Sequence, residues 1–180
     1  MVQRIVQSGE KKLREISRPV VKIDKKIKSL ITDLKDTLAI QKNPEGVGLA
    51  APQIGKNFRV FIASYKVFFR VVINPEIIEV SDNKTKLTKS KTKKGNGEIL
   101  EGCLSLPHYY GPLKRSDNLT LKYLNEEGIE IVESFKGFKA QIMLHEIDHL
   151  NGILFIDRLL EQQKQLYKLD KNNEWEEVDI

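Results

Sequence analysis

Two histidines four residues apart flank a glutamate in the stretch Leu144-His145-Glu146-Ile147-Asp148-His149-Leu150. On an α-helix that spacing amounts to about 40° of rotation and ~6 Å of rise, so both imidazoles lean from one face toward a common ion. Glu146 stands about 100° round the same helix from His145, within reach of a water on that ion. This is the His-Glu-x-x-His arrangement, in which the histidines bind and the glutamate moves protons. The bland alternative is a surface helix with two solvated histidines. Ile142, Leu144, Ile147 and Leu150 argue for burial, and a buried imidazole needs a partner.

A catalytic metal site takes three protein ligands and keeps one position open. The chain has three histidines and a single cysteine, so His108 and Cys103 are candidates for the third ligand. A thiolate binds late first-row divalent ions tightly, and a metal deprotonates the thiol outright. Cys103 is therefore the stronger candidate, against the ordinary fate of a lone cysteine as a small buried apolar residue. His108 reads as an exposed loop residue.

The pattern of elements supports such a site. Residues 24 to 42 form an amphipathic helical pattern through Ile27, Leu30, Ile31, Leu34 and Leu38, with Asp24 as N-cap and Asn43-Pro44 as the stop. Strands are expected at 58–63 and 67–74, with a short third strand after a turn at Pro75. Residues 119–124 and 129–135 flank Asn125-Glu-Glu-Gly128, a hairpin signal. The spacing then turns helical from Phe138 to Leu150, closed by Asn151-Gly152, and a polar C-terminal helix is expected near 158–168. Strands grouped ahead of a helix predict an α+β fold, with an N-terminal and a C-terminal helix. At 180 residues and without a linker or repeat, 1–180 reads as a single domain.

Charge and composition exclude little but sharpen the picture. One cysteine rules out an intramolecular disulfide, which suits a reducing compartment and a cytoplasmic location. No apolar run reaches the roughly 20 residues needed to span a bilayer, so no membrane association is expected. The net charge of +5 is local: residues 84 to 94 hold six lysines, and 5 − 6 leaves −1 for the rest. The segment at about 81–97 reads as a lysine-rich surface insertion.

Three stretches together resemble the peptide deformylases. Gly46-Val-Gly-Leu-Ala-Ala-Pro-Gln53 matches the motif Gly-x-Gly-x-Ala-Ala-x-Gln, Glu101-Gly-Cys-Leu-Ser105 matches Glu-Gly-Cys-x-Ser, and His145-Glu-Ile-Asp-His149 matches His-Glu-x-Asp-His. The resemblance covers about residues 4 to 160 and implies an α+β fold with antiparallel strands packed around a central metal-binding helix. It implies removal of the formyl group from the N-terminal formylmethionine of nascent polypeptides, with release of formate. It implies Cys103, His145 and His149 as metal ligands and Glu146 as general acid and base. Gln53 and the backbone N–H of Leu104 would hold the oxyanion, and Gly46, Val47, Gly48 and Gly102 would line the peptide cleft. The implied cofactor is one divalent ion, Fe²⁺ in the cell, with Ni²⁺, Co²⁺ or Zn²⁺ in purified protein. The implied partners are nascent formyl-Met peptides; the lysine run adds the conjecture of a transient ribosome contact, and a monomer with no specific DNA binding is expected. Arg115 and Asp148 are a candidate pair for orienting a metal histidine. The lysine segment departs from the short link expected there.

Two rivals differ in class. Another His-Glu-x-x-His metallohydrolase would take its third ligand downstream; no histidine follows His149, although Glu161 does. A nucleic-acid-binding module would use the lysine run, but that run has no interleaved aromatic for base stacking.

Overall fold

The computed structural model describes residues 1–82 and 100–179. Its helices are α1 (Lys25–Ala39), α2 (Phe138–Leu150) and α3 (Phe155–Glu161). The strands are β1 (Gly48–Ala50), β2 (Val60–Tyr65), β3 (Phe68–Val80), β4 (Glu101–Cys103), β5 (Leu106–Gly111), β6 (Asn118–Leu124), β7 (Glu130–Lys136), β8 (Leu166–Leu169) and β9 (Trp175–Val178). Among the described residues they form two antiparallel sheets, ordered β1-β2-β3-β6-β7 and β4-β5-β8-β9. The α+β expectation holds.

The larger sheet is covered on both faces. Ile62, Val71 and Ile73 pack with Ile27, Leu30, Ile31, Leu34 and Leu38 of α1. Their neighbours Phe61, Ala63 and Val72 point the other way and pack with Ala140, Met143, Ile147 and Leu150 of α2. Successive strand side chains face opposite sides, which explains why Val60 to Ala63 is an unbroken apolar run. β6 shows the complementary case, with Leu119, Leu121 and Tyr123 buried in alternation.

α1 begins where expected: Asp24 accepts from the N–H groups of Lys26 and Ile27, satisfying two of the helix's free donors. It ends at Ala39, short of residue 42. The expected break at Pro75 does not occur. β3 runs through it as one strand of 13 residues, with register shifts against β6 on either side of Glu76–Ile77. Proline lacks the N–H for the ladder and is tolerated at such bulges. Asn74 takes a left-handed conformation with φ 51° there, and its side-chain amide makes two 2.8 Å hydrogen bonds to the backbone of Val20.

The C-terminal expectation is corrected as well. The helix is α3, earlier and shorter than 158–168, and β8 and β9 follow it as a hairpin. Gln163 breaks the helical path with φ 52°. β8 and β9 then pair from Leu166 with Val178 to Leu169 with Trp175, two strands of four residues each whose short apolar pattern helical propensity outweighed. The expected surface insertion falls, from residue 83 onward, outside the described residues. None of the described helices is long and apolar enough to cross a membrane.

Candidate metal centre

α2 is enclosed rather than amphipathic: from Glu146 to Leu150 every residue is buried. Four of its polar side chains, Gln141, Glu146, Asp148 and His149, are almost wholly out of solvent. Burying a polar group without a partner costs free energy, so these four need an account in terms of contacts.

His145 and His149 do lean together. Their Nε2 atoms stand 3.2 Å apart, and Cys103 Sγ lies 3.2 Å from His149 Nε2. All three donor atoms fall within 4.8 Å of one another. Ligands bound at 2.0–2.3 Å to a tetrahedral ion stand roughly 3.3–3.7 Å apart, so the trio is spaced for one ion. Thiolate and imidazole together suit a late first-row divalent metal. His108 lies elsewhere, exposed and at φ 69° in β5.

The residue that orients His145 is Glu101. Its Oε1 lies 2.7 Å from His145 Nδ1, leaving Nε2 directed at the trio. Arg115 grips the same carboxylate with two hydrogen bonds of 2.7 and 2.6 Å, and Gln141 Nε2 adds a third at 3.2 Å. Burial alone would raise the Glu101 carboxyl, but the Arg115 guanidinium and His145 hold it well below the usual carboxylate range. The expected Arg115–Asp148 pair forms at 2.8 Å. Asp148 is also held by Arg158 at 2.7 Å, tying α2 to α3. Among these hydrogen bonds, the carboxylate on the histidine ring is that of Glu101, two residues before Cys103 on β4. The alternation of a strand puts residues 101 and 103 on one face, a signal available in the sequence.

Gln53 is the third residue of a 3₁₀ turn, Ala51–Ile54, that follows β1. Its Oε1 accepts from Ala50 N–H at 2.8 Å, which fixes the amide so that Nε2 points inward. Nε2 lies 3.5 Å from Cys103 Sγ and 3.3 Å from Ser105 Oγ. Ser105 N–H also faces the sulfur at 3.4 Å. Sequence reasoning gave Ser105 no role, although it closes the second motif.

Glu146 lies against β1. Its Oε2 is buried with no hydrogen-bond partner among the described residues. Burial is the main cause pushing its carboxyl up to about 7; the charge of Glu101 adds to the shift, while His145 and Arg115 oppose it. A group poised near neutrality can both take and return a proton.

The glycines have uses within the protein itself. A Cβ on Gly46 would stand 2.6 Å from Leu38 Cδ1 and 3.2 Å from Leu104 Cδ1, and one on Gly102 would stand 2.7 Å from the Tyr110 ring. Val47 accepts from Ser64 N–H at 2.8 Å, holding the stretch onto β2. β1 is an edge strand of the larger sheet, so its other side is an edge to which an extended peptide can add.

The sequence matches the profile of the Polypeptide deformylase family over residues 2–165. It is 42% identical over 158 residues to a peptide deformylase of Pseudothermotoga lettingae, covering 87% of this chain and 82% of that one. It is 40% identical to peptide deformylase 1 of Clostridium acetobutylicum, covering 90% and 97%. The fold is similar to the crystal structure of peptide deformylase from Thermotoga maritima, with a TM-score of 0.76, 35% identity and coverage of 88% and 97%. It is also similar to the Met-Ala-Ser-bound class I type b peptide deformylase of Acinetobacter baumannii, with a TM-score of 0.74, 32% identity and coverage of 88% and 98%.

Proposed function

The chain belongs to the polypeptide deformylase family, and we propose that it removes the formyl group from nascent formyl-Met polypeptides at the cluster of Cys103, His145 and His149. The observation that carries this reading is the convergence of those three donors within 4.8 Å, beside a buried carboxyl on the same helix.

In this reading Cys103, His145 and His149 hold one divalent ion, and Glu101 keeps His145 in the tautomer that binds. The ion supplies Lewis acidity, activating water near neutral pH. Glu146 accepts the proton of the attacking water at its unpartnered oxygen and passes it to the amine as the formamide C–N bond breaks, so that formate and a free N-terminus leave. Gln53 Nε2 and the Leu104 N–H donate to the carbonyl oxygen as it becomes negative; donors of this kind are each typically worth ~3–4 kcal/mol. Gly46, Val47, Gly48 and Gly102 offer backbone to the peptide.

Several narrower assignments belong to the same proposal. We read the ion in the cell as Fe²⁺, with Ni²⁺, Co²⁺ or Zn²⁺ able to replace it, because the donor set accepts all four and the family resemblance favours iron. We read residues 1–180 as one domain, acting as a cytoplasmic monomer with at most transient ribosome contact. The test is metal analysis of anaerobically purified protein alongside a formyl-Met-peptide assay, repeated on Cys103→Ala. The wild type should hold about one ion per chain and release formate, and the variant should lose both. Stoichiometric metal and normal turnover in Cys103→Ala would overturn the ligand set.

A further inference from the structure

The elements that carry the centre come from three distant parts of the chain, and one N-terminal segment is bonded to all three. Val6 N–H donates to the carbonyl of Gln53 at 2.8 Å, Ser8 N–H to the carbonyl of Ser105 at 2.7 Å, and Ser17 N–H to the carbonyl of Leu150 at 2.8 Å. Each contact falls on, or next to, a residue of the site: Gln53 itself, the neighbour of Leu104, and the neighbour of His149. The segment is anchored at its own expense in apolar surface. Val6 and Leu13 are buried with Leu154 in a small separate core, and Arg14 pairs with Asp157 at the start of α3.

The direct tie between the two sides of the oxyanion position is weaker. Gln53 Nε2 meets Ser105 Oγ at 3.3 Å, a long hydrogen bond. The two backbone bonds from Val6 and Ser8 are shorter, and they grip the main chain on which both donors ride. Resting on the functional reading above, we propose that residues 6–17 are a positioning strap, which sets the distance between the Gln53 side-chain amide and the Leu104 N–H. The strap touches no substrate. It acts through Gln53 and Ser105, so its loss lowers the rate of the chemical step and leaves peptide binding and the ion in place. Displacing a catalytic group by ~1 Å can cost about 10²-fold, and losing one such donor ~10²–10³-fold.

The experiment uses metal-loaded enzyme and compares Ser8→Pro, which removes one strap donor, and Val6→Ala, which loosens its anchor, with Ile73→Ala, a core variant in the middle of β3. For Ser8→Pro, kcat should fall at least about tenfold with KM within about twofold and full metal content. Val6→Ala should move the same way by less. Both effects should persist well below each variant's melting temperature, where Ile73→Ala turns over normally. Unchanged kcat in folded Ser8→Pro, an equal loss in Ile73→Ala, or metal lost in step with activity would each overturn the strap. Amide hydrogen exchange on the wild type covers the case in which Ser8→Pro fails to fold. The Val6 and Ser8 amides should exchange as slowly as those of α2, and rapid exchange of both would overturn the proposal. A wild type that holds metal but releases no formate would instead sink the functional reading.

Discussion

Gly48 of β1 and Glu146 of α2 meet so closely that a side chain on the glycine has no room. A Cβ at Gly48 would stand 2.3 Å from Glu146 Oε1 and 2.8 Å from its Cδ. The spacing Gly-x-Gly suggests backbone laid against a ligand, and the structure adds a second reason for it. The strand edge that would receive the peptide also forms the wall against which Glu146, the proposed proton carrier, rests, so in that reading peptide position and carboxylate position are linked at Gly48.

Gly48→Ala should therefore damage catalysis through Glu146. The carboxylate has to move by about an ångström to clear the new methyl, and misplacement on that scale costs about 10²-fold. Cys103, His145 and His149 are unchanged by the substitution, so metal content should stay near one per chain. The measurement is kcat together with metal stoichiometry. Wild-type kcat in Gly48→Ala would show that Glu146 has slack that the packing here denies it.

Glu101 and Arg115 should separate affinity from stability. Glu101→Gln keeps the volume but weakens the hold on His145 Nδ1. Loss of such an outer partner typically lowers metal affinity ~10–100-fold, which a competition titration with a chelator would read. Arg115→Ala leaves Glu101 and Asp148 as buried carboxylates without their shared cation. Removing one side of a buried ion pair costs about 3–5 kcal/mol, so the melting midpoint of the apo-protein should drop sharply. An unaltered midpoint would mean that the network rearranges around the loss.

Much of this architecture was legible in the sequence because it rests on local patterns. The α2 boundaries follow from a change of hydrophobic period at Gly137 and a glycine after the last turn. The α1 start follows from one capping aspartate. The candidate donors could be narrowed by chemistry, since the chain has only one cysteine and three histidines. What escaped was non-local. Nothing near Pro75 announces that Asn74 will hold Val20 across 54 positions and let β3 continue. The hairpin of β8 and β9 is stabilised by pairing with β5, including the Tyr110–Trp175 ring contact at 5.5 Å, and its own residues carry only a weak strand signal. Glu101 was quoted within a motif without a role, although its place two residues from Cys103 put it on the same strand face.

Acid should reveal a separate device on the larger sheet, across β3, β6 and β7. Arg70 holds Glu133 with hydrogen bonds of 2.9 and 2.8 Å, and the Tyr123 hydroxyl donates to the same carboxylate at 2.8 Å. Hydrogen bonding from Arg70 is the main cause lowering the Glu133 carboxyl; burial opposes it, and Tyr123 assists. A carboxyl depressed in the folded state binds fewer protons than in the unfolded chain, so its stabilisation is present above the unfolded value near 4.5 and is lost as pH falls through the lower folded value. Wild type should lose more stability than Glu133→Gln between pH 5 and about pH 3 in urea titrations. Parallel losses would show that the pair contributes nothing to acid stability.

Glu146→Gln should part binding from chemistry. The substitution keeps size and leaves Cys103, His145 and His149 intact, so the ion should remain. Glutamine cannot take the proton at neutral pH, and general acid–base assistance is typically worth ~10²–10⁴-fold, so turnover should fall by at least the lower figure. Peptide affinity should change far less, because the cleft in this reading is made of backbone from Gly46 to Gly48 and Gly102. The three quantities belong on one preparation: metal content, product binding and kcat. Full metal with near-normal turnover would remove Glu146 from the proton path. Loss of the ion would instead make its buried carboxylate a support for the three donor side chains.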